Sequence, residues 1–128
     1  MAMRRVASFD DLEIYKRAFE LPQGVFRIST VWPKAEHYSL TDQIRRASRS
    51  IGANIAEAWA KRRHPAHFRS KLTDADGEQN ETCHWLKTAL ACEYITKKEH
   101  QMLVAQCHDI SRTLGRTMAD AEQWTPRR

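Results

Sequence analysis

Glu81-Thr-Cys-His84 is the stretch whose residue types and spacing best suit a metal. A Glu-x-x-His step sets both side chains on one helix face. Di-iron bundles use two such steps, plus one glutamate from each remaining helix. No second Glu-x-x-His occurs in the 128 residues, so a metal-binding bundle stands only as an alternative. His64 and His67 flank Pro65 and could pair as ligands, although histidines around a proline turn are more often exposed. Nucleophilic chemistry has little to work with. Cys83 and His84 are adjacent, which on a helix turns their side chains about 100° apart. Neither a G-x-S-x-G elbow nor a phosphate-cradling glycine loop is present. The sequence therefore predicts no catalytic residue, no resident metal and no cofactor, and the chain is not expected to be an enzyme.

Charge points elsewhere. Lys and Arg number 21 against 16 Asp and Glu, a formal net charge of +5. That excess permits a polyanionic partner without requiring one. The densest basic run is Lys61-Arg62-Arg63-His64. In an up-down bundle, the turn holding this run lies at the same end as the chain termini. That end would gather Arg4, Arg5, Lys61, Arg62, Arg63, Arg69, Lys71, Arg127 and Arg128. Lys61, Arg62, Arg63, Arg69 and Lys71 are the candidate nucleic-acid contacts. They would grip phosphates, with affinity that falls as salt rises. No RNA-binding fold motif is present and few aromatics interleave the arginines, so base readout is not expected. RNA and DNA remain equally open.

The elements that would position these residues read as helices throughout. Four glycines and four prolines are too few for a β-rich fold. Four helices are predicted, at about 10–30, 40–62, 66–95 and 97–124, in a single domain spanning 1–128. Asp10 with Glu13 reads as a capping box, Phe9 can staple Ile14, and Leu12, Tyr15, Phe19 and Phe26 form the first core stripe. Pro22 should kink or break this helix. Residues 31–39 read as a loop. Leu40, Ile44, Ala47, Ile51, Ile55 and Ala58 form the second stripe. Pro65 suits a first helical turn, and Phe68, Leu72, Ala75, Gln79, Thr82, Leu86 and Ala89 form the third. Thr96 and Glu99 have capping-box spacing. Leu103, Cys107, Ile110, Leu114, Thr117, Ala121 and Trp124 follow as a heptad. Short connections favour an antiparallel up-down-up-down four-helix bundle. Cys83, Cys92 and Cys107 are an odd count without CxxC spacing, so a disulfide framework is not expected. No apolar run reaches the roughly 18–20 residues of a membrane span. The two arginines of the opening MAMRRVASFDD have no apolar stretch after them, so a secretory leader is not expected and the cytoplasm is the default location.

The second helix is unusual. Beside its core stripe lies a polar one: Gln43, Arg46, Ser50, Asn54, Glu57 and Lys61. Its remaining face carries Arg49, Gly52, Ala53, Ala56 and Ala60, small residues where a solvated helix usually reads polar. Such a face lets a neighbouring subunit approach closely. Alanine is also the best helix former, so an Ala-rich surface does not by itself demand a partner. Asn54 at the edge of the core would be costly to bury unpaired. Glu81, or Arg46 or Gln43 across an interface, could satisfy it. Gln43, Arg46, Asn54, Glu57 and Glu81 are thus candidates for an interface or structural polar network. A ligand site is the alternative.

The run LTDQIRRASRSIGANIAE, Leu40 to Glu57, resembles the LTxQIRRAxxSIxxNIAEG signature of bacterial four-helix bundle proteins encoded in intervening sequences of 23S ribosomal RNA genes. FDDLEIYKRA from Phe9, Pro33 with Glu36, the third-helix residues Phe68, Leu72, Ala75, Gly77 and Glu81, and Tyr94-Ile95 extend the likeness over nearly the whole chain. Ala58 stands where the family usually has Gly, and Glu78 where a Ser usually follows Gly77. The resemblance implies a homopentamer of bundles. It also implies kinship with the accessory variability determinant of diversity-generating retroelements, which associates with a reverse transcriptase and nucleic acid. The expected role is then a non-enzymatic, nucleic-acid-associated accessory or scaffold protein using its basic end. The alternative is a protein-interaction scaffold without nucleic acid.

Overall fold

A computed structural model describes residues 6–126. Four helices, α1 Glu13–Ser29, α2 Asp42–Ala60, α3 Pro65–Ala91 and α4 Lys97–Ala119, form the antiparallel bundle, and no strand occurs among the described residues. Each helix packs on its sequence neighbour, and α1 also meets α4, closing a four-cornered core. Among the described residues no helix is long and apolar enough to cross a membrane.

The chain enters α1 later than its capping pattern suggests. Ser8 and Asp11 form the capping box, not Asp10 and Glu13. The Asp11 carboxylate accepts from the backbone N–H groups of Ala7 and Ser8 at 2.9 and 3.3 Å. A 3-10 turn over Phe9–Asp11 results, extended Leu12 follows it, and α1 starts at Glu13. Phe9 packs edge-on against Tyr15, with ring centroids 4.8 Å apart. Helix α1 continues through Pro22, so of the expected kink or break the break does not occur, and the proline is buried. Burial of the ring offsets the backbone hydrogen bond it removes.

Of the predicted first stripe only Leu12 is buried in the core. Ile14, Ala18, Leu21 and Val25 face the core. Tyr15 is only half-buried, while Phe19 and Phe26 are 55% and 43% exposed. Helix α1 therefore carries two apolar stripes, and the larger aromatic one lies outside. The stripes of α2 and α3 fall where their spacing places them, with every predicted residue from Leu40 to Ala58 and from Phe68 to Ala89 buried. In α4, Leu103, Cys107, Ile110 and Leu114 are buried and Thr117 is half-buried.

The connections are more ordered than their sequences suggest. A 3-10 turn at Lys34–Glu36 runs into a wide π turn at His37–Thr41, which delivers the chain to α2. Helix α3 stops at Ala91 rather than near 95. Glu93 takes a left-handed conformation with φ of 62°, and Tyr94 N–H bonds back to Ala89 O at 2.9 Å. This is a Schellman-type stop without its usual glycine. Tyr94 holds the corner: its hydroxyl donates to Glu36 Oε2 at 2.7 Å, and its ring lies 6.1 Å from that of buried Trp32. The Glu36 carboxylate pushes the Tyr94 phenol up to about 12. Thr96 and Glu99 cap α4 reciprocally, as their spacing predicts. Helix α4 ends at Ala119, and a 3-10 turn over Ala121–Trp124 follows.

Candidate functional site

The α2–α3 turn presents the basic run at one end of the bundle. Three of its five candidate cations are engaged within the chain. The Arg62 guanidinium lies 3.9 Å from the Trp59 ring centre and donates to Trp59 O at 2.9 Å, closing the C-terminus of α2. Arg69 donates to Met118 O at 3.2 Å and to Glu122 at 2.6 Å, tying α3 to the end of α4. Lys71 Nζ sits 2.6 Å from Glu57 and 3.7 Å from Asp74. These pairings hold the Glu57 and Glu122 carboxyls below the usual range, through hydrogen bonds from Lys71 and Arg69 respectively. The Lys71 ammonium is raised, chiefly by its bond to Glu57. Lys61 and Arg63 are exposed, and among the described residues their side chains enter no hydrogen bond or ion pair. Arg4, Arg5, Arg127 and Arg128 lie outside the described residues.

The candidate polar network is only partly assembled. Asn54 Nδ2 reaches back one turn to Ser50 O at 2.9 Å, so its half-buried amide is served by its own helix rather than by Glu81. Glu81 is exposed and accepts from Trp85 Nε1 at 3.0 Å. Gln43 is half-buried and Arg46 exposed on α2. Glu57 and Lys71, assigned to different roles on sequence grounds, meet as an ion pair between α2 and α3.

Reactive side chains are dispersed. Among the described residues no three His, Cys, Asp or Glu side chains converge as metal ligands. His84 packs against the Trp85 ring at 4.7 Å. Half-buried Cys83 donates to Gln79 Oε1 at 3.3 Å. Its thiol also meets that of buried Cys107 across the α3–α4 seam. This contact, with burial, pushes the Cys107 thiol far up.

A surface the charge pattern did not single out lies along α1 and α2. Phe19 and Pro22 of α1 and Arg49, Gly52, Ala53 and Ala56 of α2 line a groove of about 400 Å³. Arg45 and Arg49 hold their guanidinium carbons 4.7 and 5.9 Å from the Phe26 ring centre. The small residues of α2 were visible in the sequence. Their aromatic wall was hidden by the assumption that Phe19 and Phe26 fill the core.

A family model described as 23S rRNA-intervening sequence protein matches residues 10–116. The chain belongs to the 23S rRNA-intervening sequence protein family. A crystal structure of a protein of unknown function, from the S23 ribosomal protein family of Bacteroides thetaiotaomicron, is similar to this intervening-sequence protein at 28% identity and a TM-score of 0.72. The alignment covers 82% of this chain and 97% of the other. No curated protein matches the chain. The family match places LTDQIRRASRSIGANIAE, and so the α1–α2 groove and the start of the basic turn, inside the shared region.

Proposed function

We propose that this intervening-sequence protein is a non-enzymatic, cytoplasmic homo-oligomer, a pentamer by resemblance, that acts as an accessory or scaffold protein on nucleic acid. The observation that carries the nucleic-acid part is the exposure of Lys61 and Arg63 at the α2–α3 turn, where among the described residues neither side chain forms a hydrogen bond or ion pair and only Lys61 feels a carboxylate, Glu57. Two exposed cations per subunit are a weak phosphate site alone. Repeated around an oligomer they become multivalent, and avidity then exceeds the single-site affinity. Arg62, Arg69 and Lys71 brace the turn and extend its positive field. A reverse transcriptase, or another protein that itself handles nucleic acid, fits such an accessory role.

The test is filter binding of single-stranded RNA and DNA at several salt concentrations, using wild type and Lys61→Glu with Arg63→Glu. The variant should bind at least tenfold more weakly, and its salt dependence should flatten by about 1.4 in the log–log slope per subunit engaged, from two lost single-strand phosphate contacts. Unchanged binding with the oligomer intact overturns the assigned surface.

A protein-interaction scaffold without nucleic acid is the second reading. The exposed Phe19 and Phe26 favour it, because aromatics beside arginines are the composition of protein–protein contacts. Absence of any RNA or DNA binding by wild type would select it.

A further inference from the structure

Two sides of α2 carry opposite chemistry. Toward α1, the groove residues include no carboxylate. Arg45 donates to Ser29 Oγ at 3.0 Å and stacks on Phe26, and neither Arg45 nor Arg49 has a carboxylate partner among the described residues. Toward α3, the Lys71–Glu57 pair marks the side of α3 that adjoins α2. Asp74, Glu78 and Glu81 continue that side at helical spacing. Lys71 answers Asp74 at 3.7 Å, whereas Glu78 has no cation against it. Burial, then the charges of Glu81 and Asp74, push its carboxyl up. The first side sets Arg45, Arg46 and Arg49 around a single carboxylate, Asp42, and the second sets Asp74, Glu78 and Glu81 against Lys71 alone.

We propose that the α1–α2 face of one copy docks on the α3 acidic stripe of a second copy, with Arg45 and Arg49 set against Asp74, Glu78 and Glu81, and with Phe19 and Phe26 covered in the contact. The docking mode rests on the homo-oligomer proposed above and adds which surfaces meet. From Asp42 to Ala60 the chain has three arginines and no lysine. Arginine and aromatics are enriched in interface cores and lysine is depleted. Because both complementary faces lie on one chain, a second copy suffices as partner. The two faces are unlike, so the contact is heterologous, and it closes into a ring when the rotation allows. They also share α2, on neighbouring sides of a four-cornered bundle. Their outward directions are therefore roughly 90° apart, close to the interior angles of about 90° and 108° in rings of four and five copies. The outer face of α2 then points at the ring axis. Ala53 and Ala60, exposed and small, suit that crowded position.

Native mass spectrometry of two charge-reversed variants tests the contact. One carries Arg45→Glu and Arg49→Glu, the other Glu78→Arg and Glu81→Arg. Each alone should be monomeric where wild type is assembled, with helical circular dichroism retained. Mixed, they should associate in strict alternation, as even-numbered assemblies with equal numbers of each, because a ring of five cannot alternate. Arg49→Glu alone, which spares the bond from Arg45 to Ser29, should weaken assembly at least tenfold. If the α3 variant stays assembled alone, or the mixture stays monomeric, the docking mode is overturned while the homo-oligomer stands. A monomeric wild type overturns both.

Discussion

The basic end and the α1–α2 face both hold a concentration of arginine, but in different states. At the end, Arg62 closes its own helix, Arg69 bonds Met118 O and Glu122, and Lys71 is clasped by Glu57. On the face, Arg45 and Arg49 rest on Phe26 and, among the described residues, neither forms an ion pair, although Asp42 lines the same hollow. A count of positive charge ranks the end first. A count of cations not ion-paired to a carboxylate ranks the face beside it and leaves Lys61, Arg62 and Arg63 at the end, with Arg62 stacked on Trp59 as Arg45 is on Phe26. An exposed cation already held by a carboxylate must give up that pairing before it can bind a phosphate, so net charge overstates what a surface can offer.

The sharpest way to break this comparison is to ask whether the aromatic stripe of α1 really lies outside the core. Leu21→Ala, at a fully buried position, should cost about 2–5 kcal/mol in chemical denaturation of the isolated subunit. Phe19→Ala should cost well under 1 kcal/mol, the range of an exposed substitution, and should act instead on assembly. Equal losses for the two variants would return Phe19 to the core and remove the docking face.

A smaller effect separates engaged from free cations. Arg69→Ala should lower stability by about 1 kcal/mol, through loss of its bonds to Met118 O and Glu122. Arg63→Ala should change stability by less than about 0.5 kcal/mol yet reduce RNA or DNA binding more. If thermal melts show the reverse order, the division of the basic end is wrong.

The smallest effects are pH-dependent and opposite in sign. Glu57 and Glu122 have carboxyls held below their ordinary value of 4.5. Their contribution to stability is complete above that value and is lost as pH falls through the lowered folded values. Glu78 is raised above 4.5, so in the isolated subunit its ionisation opposes folding and protonation relieves it. Near neutral pH, Glu57→Gln should lower the midpoint of urea unfolding and Glu78→Gln should raise it slightly. Shifts of the same sign would contradict the assignment of one carboxylate as paired and the other as crowded.

What could be read from the sequence follows from how many answers each pattern allows. Helices α2 and α3 each have a single apolar stripe, so every residue of those stripes is buried as predicted. The first helix has two, Ile14-Ala18-Leu21-Val25 and the predicted Leu12-Tyr15-Phe19-Phe26, of which only Leu12 is buried. Spacing alone cannot choose between them, and residue size chooses wrongly. The end of α3 was hidden because Glu93 adopts the left-handed turn that glycine usually marks, stabilised by a Tyr94–Glu36 bond 58 residues apart in sequence. The capping box of α4 is local and was legible. The pairings of Arg69 and Lys71 are long-range, and no local pattern encodes them. The candidate site was therefore legible as a set of cations but not as a set of available ones.

Native mass spectrometry of the protein purified from cells without nuclease addresses the central claim, a homo-oligomer that carries nucleic acid. The account predicts a single closed assembly, five copies by family resemblance, with RNA or DNA co-purifying and released as salt rises. A nucleic-acid-free monomer would contradict it.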